Sequence, residues 1–141
     1  MTRVFWTLAL LTLIPACTAT APPRADPAIS IRLANAGPRP MRCEIMFGHW
    51  VDRDLGIVQP GAVTGFIAQQ QADGALYIER ADGQRRLMIE NVFCGAENNW
   101  QATVGEIDLA RARVMRPHAV EARCVLPIGG RVNCAPPVLK P

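Results

Sequence analysis

The chain from residue 29 to residue 136 consists of short stretches in which apolar and polar residues alternate. In residues 28–34, AISIRLA, the apolar Ile29, Ile31 and Leu33 occupy every second position, which is typical of a strand with one buried face. Further stretches of this kind follow at residues 41–50, 62–70, 75–80, 85–94, 118–126 and 131–135. Because turn residues separate these stretches, the pattern predicts a mainly β fold.

Two Asp-Gly pairs, Asp73-Gly74 and Asp82-Gly83, flank the stretch at 75–80. Asp-Gly accepts the positive φ that tight hairpin turns require. The two turns therefore predict a three-stranded antiparallel meander across residues 62–94. In its last strand, three apolar residues are expected to share one face: Leu87, Ile89 and Phe93.

One short helix is predicted in the C-terminal half of the chain. Residues 103–106, TVGE, have the Thr-to-Glu spacing of a capping box. The residues that follow place Ile107, Ala110 and Val114 on one side of a helix.

These patterns together predict a single small domain at residues 29–136, followed by a short tail at 137–141. We expect an antiparallel sandwich or barrel of about seven strands with one short helix. A domain of about 110 residues buries its own core, and disulfides would add several kcal/mol of stability.

The N-terminal segment has the features of an export signal. Arg3 precedes an apolar run, residues 4–14, which is shorter than the roughly 20 residues that a helix needs to cross a bilayer. The run ends in residues 14–17, IPAC, which resemble a bacterial lipobox, although Pro15 replaces the usual small residue. The thiol of Cys17 is the lipid attachment point that this resemblance implies.

The resemblance further implies that residues 1–16 are removed as a signal peptide, after which Cys17 carries diacylglycerol. Residues 17–28, small and Pro-rich, would then form a flexible tether. Thr18 resembles the pattern of lipoproteins sorted to the outer membrane, where they face the periplasm. Cleavage after Ala19 is the alternative, and it would discard Cys17 and release a soluble periplasmic protein.

Four of the 5 cysteines remain once Cys17 is set aside: Cys43, Cys94, Cys124 and Cys134. An even number in an exported chain indicates two disulfides, with three connectivities open. A hairpin with a three-residue loop around Gly129 would place Cys124 opposite Cys134, whereas a two-residue loop would offset them. We favour Cys124–Cys134 with Cys43–Cys94. Because the chain has no C-x-x-C pair, we expect no metal site, and we expect no cofactor.

The densest polar cluster is GHWVDRDLG, residues 48–56, with His49, Asp52 and Asp54 as candidate acid–base residues. On a strand, His49 and Asp52 point to opposite faces, so the spacing matches no defined site. A strand that ends in a charged turn is the favoured interpretation. The single serine, Ser30, has no Gly-rich elbow around it. We therefore expect no enzymatic activity.

A second polar cluster, CGAENNW at residues 94–100, is the candidate loop for contact with a partner. Its four contact candidates are Glu97, Asn98, Asn99 and Trp100. The alternative is that Trp100 folds back over the core. The pair Arg85-Arg86 and the arginines at 111, 113 and 116 suit anionic lipid or polysaccharide, although solvated faces are the simpler interpretation.

The formal net charge of +3 comes from basic residues scattered along the chain, which gives no continuous face for nucleic acid. We expect a non-enzymatic binding or structural module of the cell envelope. It would be attached to the membrane by its lipid and would contact an envelope protein or polysaccharide. Two alternatives are an inhibitor of an exported or foreign enzyme and, less favoured, a small periplasmic hydrolase that uses His49 and nearby acids.

The lipobox predicts the mass of the mature protein. Intact mass spectrometry of protein purified from membranes should show a chain that begins at Cys17 and carries diacylglycerol. A Cys17→Ser variant, which lacks the thiol, should lose this modification. An unmodified chain that begins at Thr20 would contradict the lipoprotein interpretation.

Overall fold

The computed structural model describes residues 26–48, 51–80, 83 and 86–141. These residues form a mainly β fold with ten strands in one sheet, which confirms the predicted fold class. The strands are β1 Ala28–Asn35, β2 Met41–Phe47, β3 Val51–Val58, β4 Val63–Gln70, β5 Leu76–Glu79, β6 Arg86–Gly95, β7 Gly105–Glu106, β8 Ala119–Val125, β9 Asn133–Cys134 and β10 Val138–Lys140. The helices are α1 Trp100–Thr103 and α2 Ala110–Met115, and a 3₁₀ turn spans Glu97–Asn99.

The strand order is β10-β8-β1-β4-β5-β6-β2-β3, with the two-residue strands β7 and β9 paired to β6 and β8. The predicted meander is confirmed, because β4, β5 and β6 are neighbours and pair antiparallel. More strands are present than the sequence pattern predicted. Of the additional strands, β7 and β10 are too short to show alternation, and β3 overlaps the polar cluster at 48–56.

One pair of strands differs from the antiparallel prediction. β1 pairs antiparallel with β4 on one side and parallel with β8 on the other. Parallel neighbours need a long connection between them. Here most of the chain lies between the two strands, so no local turn signal reports their pairing.

The predicted tail at 137–141 is wrong for most of its length. Val138–Lys140 form β10, which pairs antiparallel with Glu121, Val120 and Ala119 of β8. Lys140 Nζ also donates to Glu121 Oε1 at 2.7 Å. The reason is that this edge of β8 carries unpaired backbone groups, and the C-terminal residues satisfy them.

β6 contains a bulge that changes which residues face the core. Met46 pairs with Asn91, but its neighbour Phe47 pairs with Ile89, so Glu90 is an extra residue. After the bulge, the buried positions are Val92 and Cys94. The expectation that Phe93 shares a face with Ile89 is therefore wrong, because the extra residue inverts the alternation.

The helix prediction is also corrected. α2 spans Ala110–Met115, where Ala112 is the buried residue and Val114 is 81% exposed. Thr103 ends α1 instead of capping α2. The side chain of Asp108 accepts a hydrogen bond from Ala110 N at 2.8 Å and so supports the first turn of α2.

A single hydrophobic cluster joins strands that lie far apart in the sheet order. It contains Ile31 and Leu33 of β1, Val120 of β8, and Ile45 and Phe47 of β2. The sheet therefore folds over onto itself around one core. The segment before β9 also contacts the end of α1 through a bond that is not part of any strand pairing, because Val132 N donates to Thr103 O at 2.7 Å. This approach requires glycine at 105, because a Cβ there would lie 2.0 Å from Val132 O.

Two disulfides connect directly opposed residues and confirm the favoured pairing. Cys43–Cys94 joins β2 to β6, and Cys124–Cys134 joins β8 to β9. The connection after β8 is longer than the two- or three-residue loop expected around Gly129, but the register still places Cys134 opposite Cys124. Paired cysteines indicate an oxidising, exported environment. Among the residues that the structure describes, no helix is long and apolar enough to span a membrane.

The two disulfides should differ in their contribution to stability. They close chain segments with sequence separations of 51 and 10 residues. Chain entropy then predicts losses of about 4 kcal/mol for Cys43→Ala/Cys94→Ala and about 3 kcal/mol for Cys124→Ala/Cys134→Ala. Urea unfolding of both double variants measures the difference. A larger loss from the second variant would contradict the chain-entropy account.

Candidate functional site

A surface cleft lies where the turn before β2 faces the segment after β6. We call it the Arg42 cleft, and its volume is about 250 Å³. Its lining residues are Arg39, Pro40, Met41, Arg42, Ile57, Ala96, Glu97 and Asn98. The buried Met41 and Ala96 form the apolar base of the cleft. The half-exposed side chain of Ile57 extends this apolar surface on one side. Charged and amide side chains surround this apolar centre.

The first wall of the cleft, at residues 39 and 40, is held by the buried side chain of Asn35. Its Nδ2 donates to Arg39 O at 2.8 Å and to Val58 O at 2.9 Å, and its Oδ1 accepts from Gly37 N at 3.0 Å. Because a buried amide is costly unless it is hydrogen-bonded, these bonds fix the turn against the end of β3.

The second wall, at residues 96–98, is held by the buried hydroxyl of Thr103. Ala96 N donates to Thr103 Oγ1 at 2.8 Å, and this hydroxyl donates to Asn99 O at 2.7 Å. The 3₁₀ turn between these two contacts is therefore fixed at both of its ends. The Thr103 hydroxyl therefore positions a surface segment that pairs with no strand.

The residues predicted as a contact loop fall into two groups. Glu97, Asn98 and Asn99 are exposed, as a contact surface requires. Trp100 is half-buried and lies against β6, since a Cβ on Gly95 would be 2.9 Å from Trp100 Cε3. Of the four predicted residues, Glu97 and Asn98 line the Arg42 cleft.

The Cys43–Cys94 disulfide joins the strands that carry the two walls. Arg42 pairs with Gly95 in the register immediately beside it, and Cys43 pairs with Cys94 at a Cα–Cα distance of 4.1 Å. The cross-link therefore limits how far the two walls can separate. The cleft is consequently built on a covalently closed part of the sheet.

The charge of Arg42 is matched within the protein. Its Nε and Nη2 donate to the two carboxylate oxygens of Asp54, each at 3.1 Å, and Gly56 N donates to Asp54 at 2.8 Å. The hydrogen bonds from Arg42 lower the pKa of Asp54, and the same contact raises the pKa of Arg42. Asp54 is thus stabilised as a carboxylate, which is unsuited to a general acid at neutral pH.

Asp52, another candidate acid–base residue, does not line the cleft. Asp52 pairs with Met46 and is exposed on β3, and His49 lies outside the described residues. Burial, followed by the charge of Asp52, raises the pKa of Glu44 on the adjacent strand. Within the described ranges, no group of three or more His, Cys, Asp or Glu side chains is arranged to hold a metal ion.

Sequence reasoning missed most of the residues that build the cleft. Asn35 and Arg39 lie at a break between two alternating stretches, and Ile57 belongs to β3, which the alternation does not predict. The sequence does indicate that Asn35 is buried, because Asn35 continues the every-second-residue series of Ile29, Ile31 and Leu33. A polar residue at a buried position indicates a specific hydrogen-bonding role.

Replacing Thr103 by valine should release the second wall of the cleft. Thr103→Val keeps the side-chain volume but leaves Ala96 N and Asn99 O without their partner, so we expect a loss of about 1–3 kcal/mol in unfolding free energy. Amide exchange at Ala96 should become faster. The matched control is Thr64→Val, because Thr64 is half-buried and makes one bond, to Leu55 O at 3.3 Å. Equal losses from the two variants would contradict the assigned role of Thr103.

Comparisons with protein-family models, with curated proteins and with solved structures found no match. The chemistry of the cleft therefore rests on its own geometry. It combines an apolar centre, a rim that carries both signs of charge, and two walls held by buried hydrogen bonds. This arrangement suits the binding of an apolar side chain that is flanked by polar groups.

Proposed function

We propose that this protein is an exported, lipid-anchored module of the bacterial envelope that binds a protein partner through the Arg42 cleft and catalyses no reaction. The observation that carries the proposal is the construction of the cleft. Two buried polar side chains, Asn35 and Thr103, direct their hydrogen bonds to the backbone of its walls. Function in this proposal is recognition, which depends on shape and on charge.

Fixed walls favour binding because they lower its entropic cost. A partner that meets a flexible surface must order the surface segments, which reduces the net affinity. Here the turn at 39–40 and the segment at 96–98 are already held by bonds of 2.7–2.8 Å. The disulfide beneath them adds a covalent limit to their separation.

The size of the cleft supports a protein side chain as the ligand. Pockets for small organic ligands commonly measure about 300–1,000 Å³ and enclose most of the ligand. The Arg42 cleft measures about 250 Å³ and is open to solvent along its rim. One apolar side chain on Met41 and Ile57 would fill its centre, while Arg39 and Glu97 would face polar groups of the partner. Apolar centres with polar rims are usual in protein interfaces.

The location in the envelope rests on two separate features. The two disulfides support an oxidising compartment outside the cytoplasm. The lipobox-like residues 14–17 and the Pro-rich tether support attachment through Cys17, with the outer membrane facing the periplasm as the proposed site. A partner within reach of the tether is then an envelope protein.

The exposed turn at Glu97–Asn99 favours one second candidate function, inhibition of an exported or foreign enzyme. A short surface turn that is fixed at both ends resembles a segment that can enter another protein's active-site groove. The two functions differ in the partner. An inhibitor would abolish the activity of a bound enzyme at stoichiometric concentration, whereas a structural module would leave that activity unchanged.

Site-specific capture should identify the partner and test the cleft. A photo-crosslinking residue in place of Asn99, beside the cleft, should give a specific adduct in intact cells. The yield of the adduct should fall about tenfold when Ile57→Ser is added. Loss of an apolar anchor at the centre of an interface lowers the binding free energy by about 1.4 kcal/mol or more. Ile67→Ser is the matched control, since Ile67 is 59% exposed and lies on a strand that does not line the cleft.

The capture has two outcomes that oppose the proposal. An adduct that persists in Ile57→Ser would show that the cleft does not bind the partner. An adduct that falls equally in Ile67→Ser would show a nonspecific apolar contact. Hydrolysis of a captured polymer or peptide by the purified protein would overturn the non-enzymatic assignment.

A further inference from the structure

We propose that the exposed tip of α2 rests on an anionic lipid surface. The α2 tip consists of Arg111, Val114, Met115 and Arg116. This contact is separate from the Arg42 cleft, and it rests on the proposed lipid anchor because the anchor would bring the domain to the membrane.

The α2 tip presents apolar side chains that the protein leaves in solvent. Val114 is 81% exposed and Met115 is 60% exposed, although they are adjacent in the chain. Arg111 and Arg116 on either side are exposed as well. Apolar residues bordered by arginines are the composition of segments that lie at a lipid headgroup boundary.

The charge of this segment is net positive. The guanidinium of Arg113 donates to Ile89 O and Glu90 O, and Arg116 donates to Ala72 O. Carbonyl oxygens orient these guanidinium groups without neutralising them. The nearby acids are Glu90, Glu106 and Asp108, which line a pocket together with Arg113, and Asp73, in the turn beside Ala72. The α2 tip itself carries Arg111 and Arg116 and no carboxylate, and this local positive charge favours anionic lipid headgroups.

The helix is fixed in place, so its exposed tip does not result from loose packing. Gln70 Nε2 is buried and donates to Ala112 O at 3.1 Å and to Arg113 O at 2.7 Å. Gly74 approaches the same backbone so closely that a Cβ would lie 2.4 Å from Arg113 O. These contacts hold the inner side of α2 and leave Val114 and Met115 directed outward.

The tether leaves the domain near α2. Gln70, which holds α2 through its side chain, also donates its backbone N–H to Pro27 O at 3.0 Å. The residues between Pro27 and Cys17 span at most about 35 Å when fully extended. A lipid on Cys17 would therefore keep this end of the domain close to the membrane, where a weak contact is populated because of its high effective concentration.

Methionine oxidation reports on this contact in the native protein. Two described methionines are exposed, Met115 at the α2 tip and Met88 on the outer face of β6. The protein would be reconstituted into phosphatidylglycerol/phosphatidylethanolamine vesicles or into phosphatidylcholine vesicles, and sulfoxide formation would be followed by mass spectrometry. We expect the oxidation rate of Met115 to fall about threefold or more on anionic vesicles relative to neutral ones, with Met88 unchanged.

Two variants test whether the α2 tip causes the slower oxidation of Met115. Arg111→Gln/Val114→Ser should abolish the protection of Met115 on anionic vesicles. The matched control Ile67→Ser removes an exposed apolar side chain from β4 and should retain the protection. Equal oxidation of Met115 on both vesicle types would overturn the proposal, as would equal protection of Met88.

The failure of the lipid anchor is distinguishable from the failure of this contact. If the intact mass shows no diacylglycerol, flotation of the same mature protein with phosphatidylglycerol vesicles replaces the reconstitution. Flotation that Arg111→Gln/Val114→Ser reduces about tenfold would support the contact without the anchor. Absence of flotation in the protein without substitutions would overturn the proposed contact.

Discussion

The disulfide between Cys43 and Cys94 lies at the point on which the rest of the sheet depends. β2 is flanked by two bulged strands, with Leu55 as the extra residue in β3 and Glu90 as the extra residue in β6. Bulges bend a strand and increase its twist, which allows a sheet to fold over its own core. The cross-link fixes β2 to β6 at the residue beside the first of these two bulges. The core and the surface cleft therefore share one covalently closed region.

The elements that the sequence predicted correctly are those with a local physical cause. Alternation identified β1, and the Asp-Gly turns identified the meander, because both depend on residues a few positions apart. The bulge at Glu90, the parallel pairing of β1 with β8 and the edge position of β10 depend on distant partners. No pattern within a single segment specifies such partners.

The site shows the same division between local and distant causes. The exposure of Glu97–Asn99 was predicted from local polarity, but the wall opposite to it was not. Asn35 reaches Val58 across 23 positions, and Arg39 donates to Pro127 O across 88. A sequence shows that such a residue is polar, whereas only the folded chain shows which backbone it positions. The ion pair of Arg42 with Asp54 likewise depends on the register of β2 against β3.

β3 forms one end of the sheet, and its exposed residues Asp52, Arg53 and Asp54 bear on how copies of the protein coexist. Suppose that β3 of one copy pairs antiparallel with β3 of a second copy. Directly opposed residues then project their side chains to the same face of the joined sheet. A pairing centred on Arg53 sets Arg53 against Arg53 and Asp52 against Asp54, and a pairing centred on either aspartate sets that aspartate against itself. Like charges in directly opposed positions are destabilising. Copies of the protein would thus resist joining edge to edge through β3.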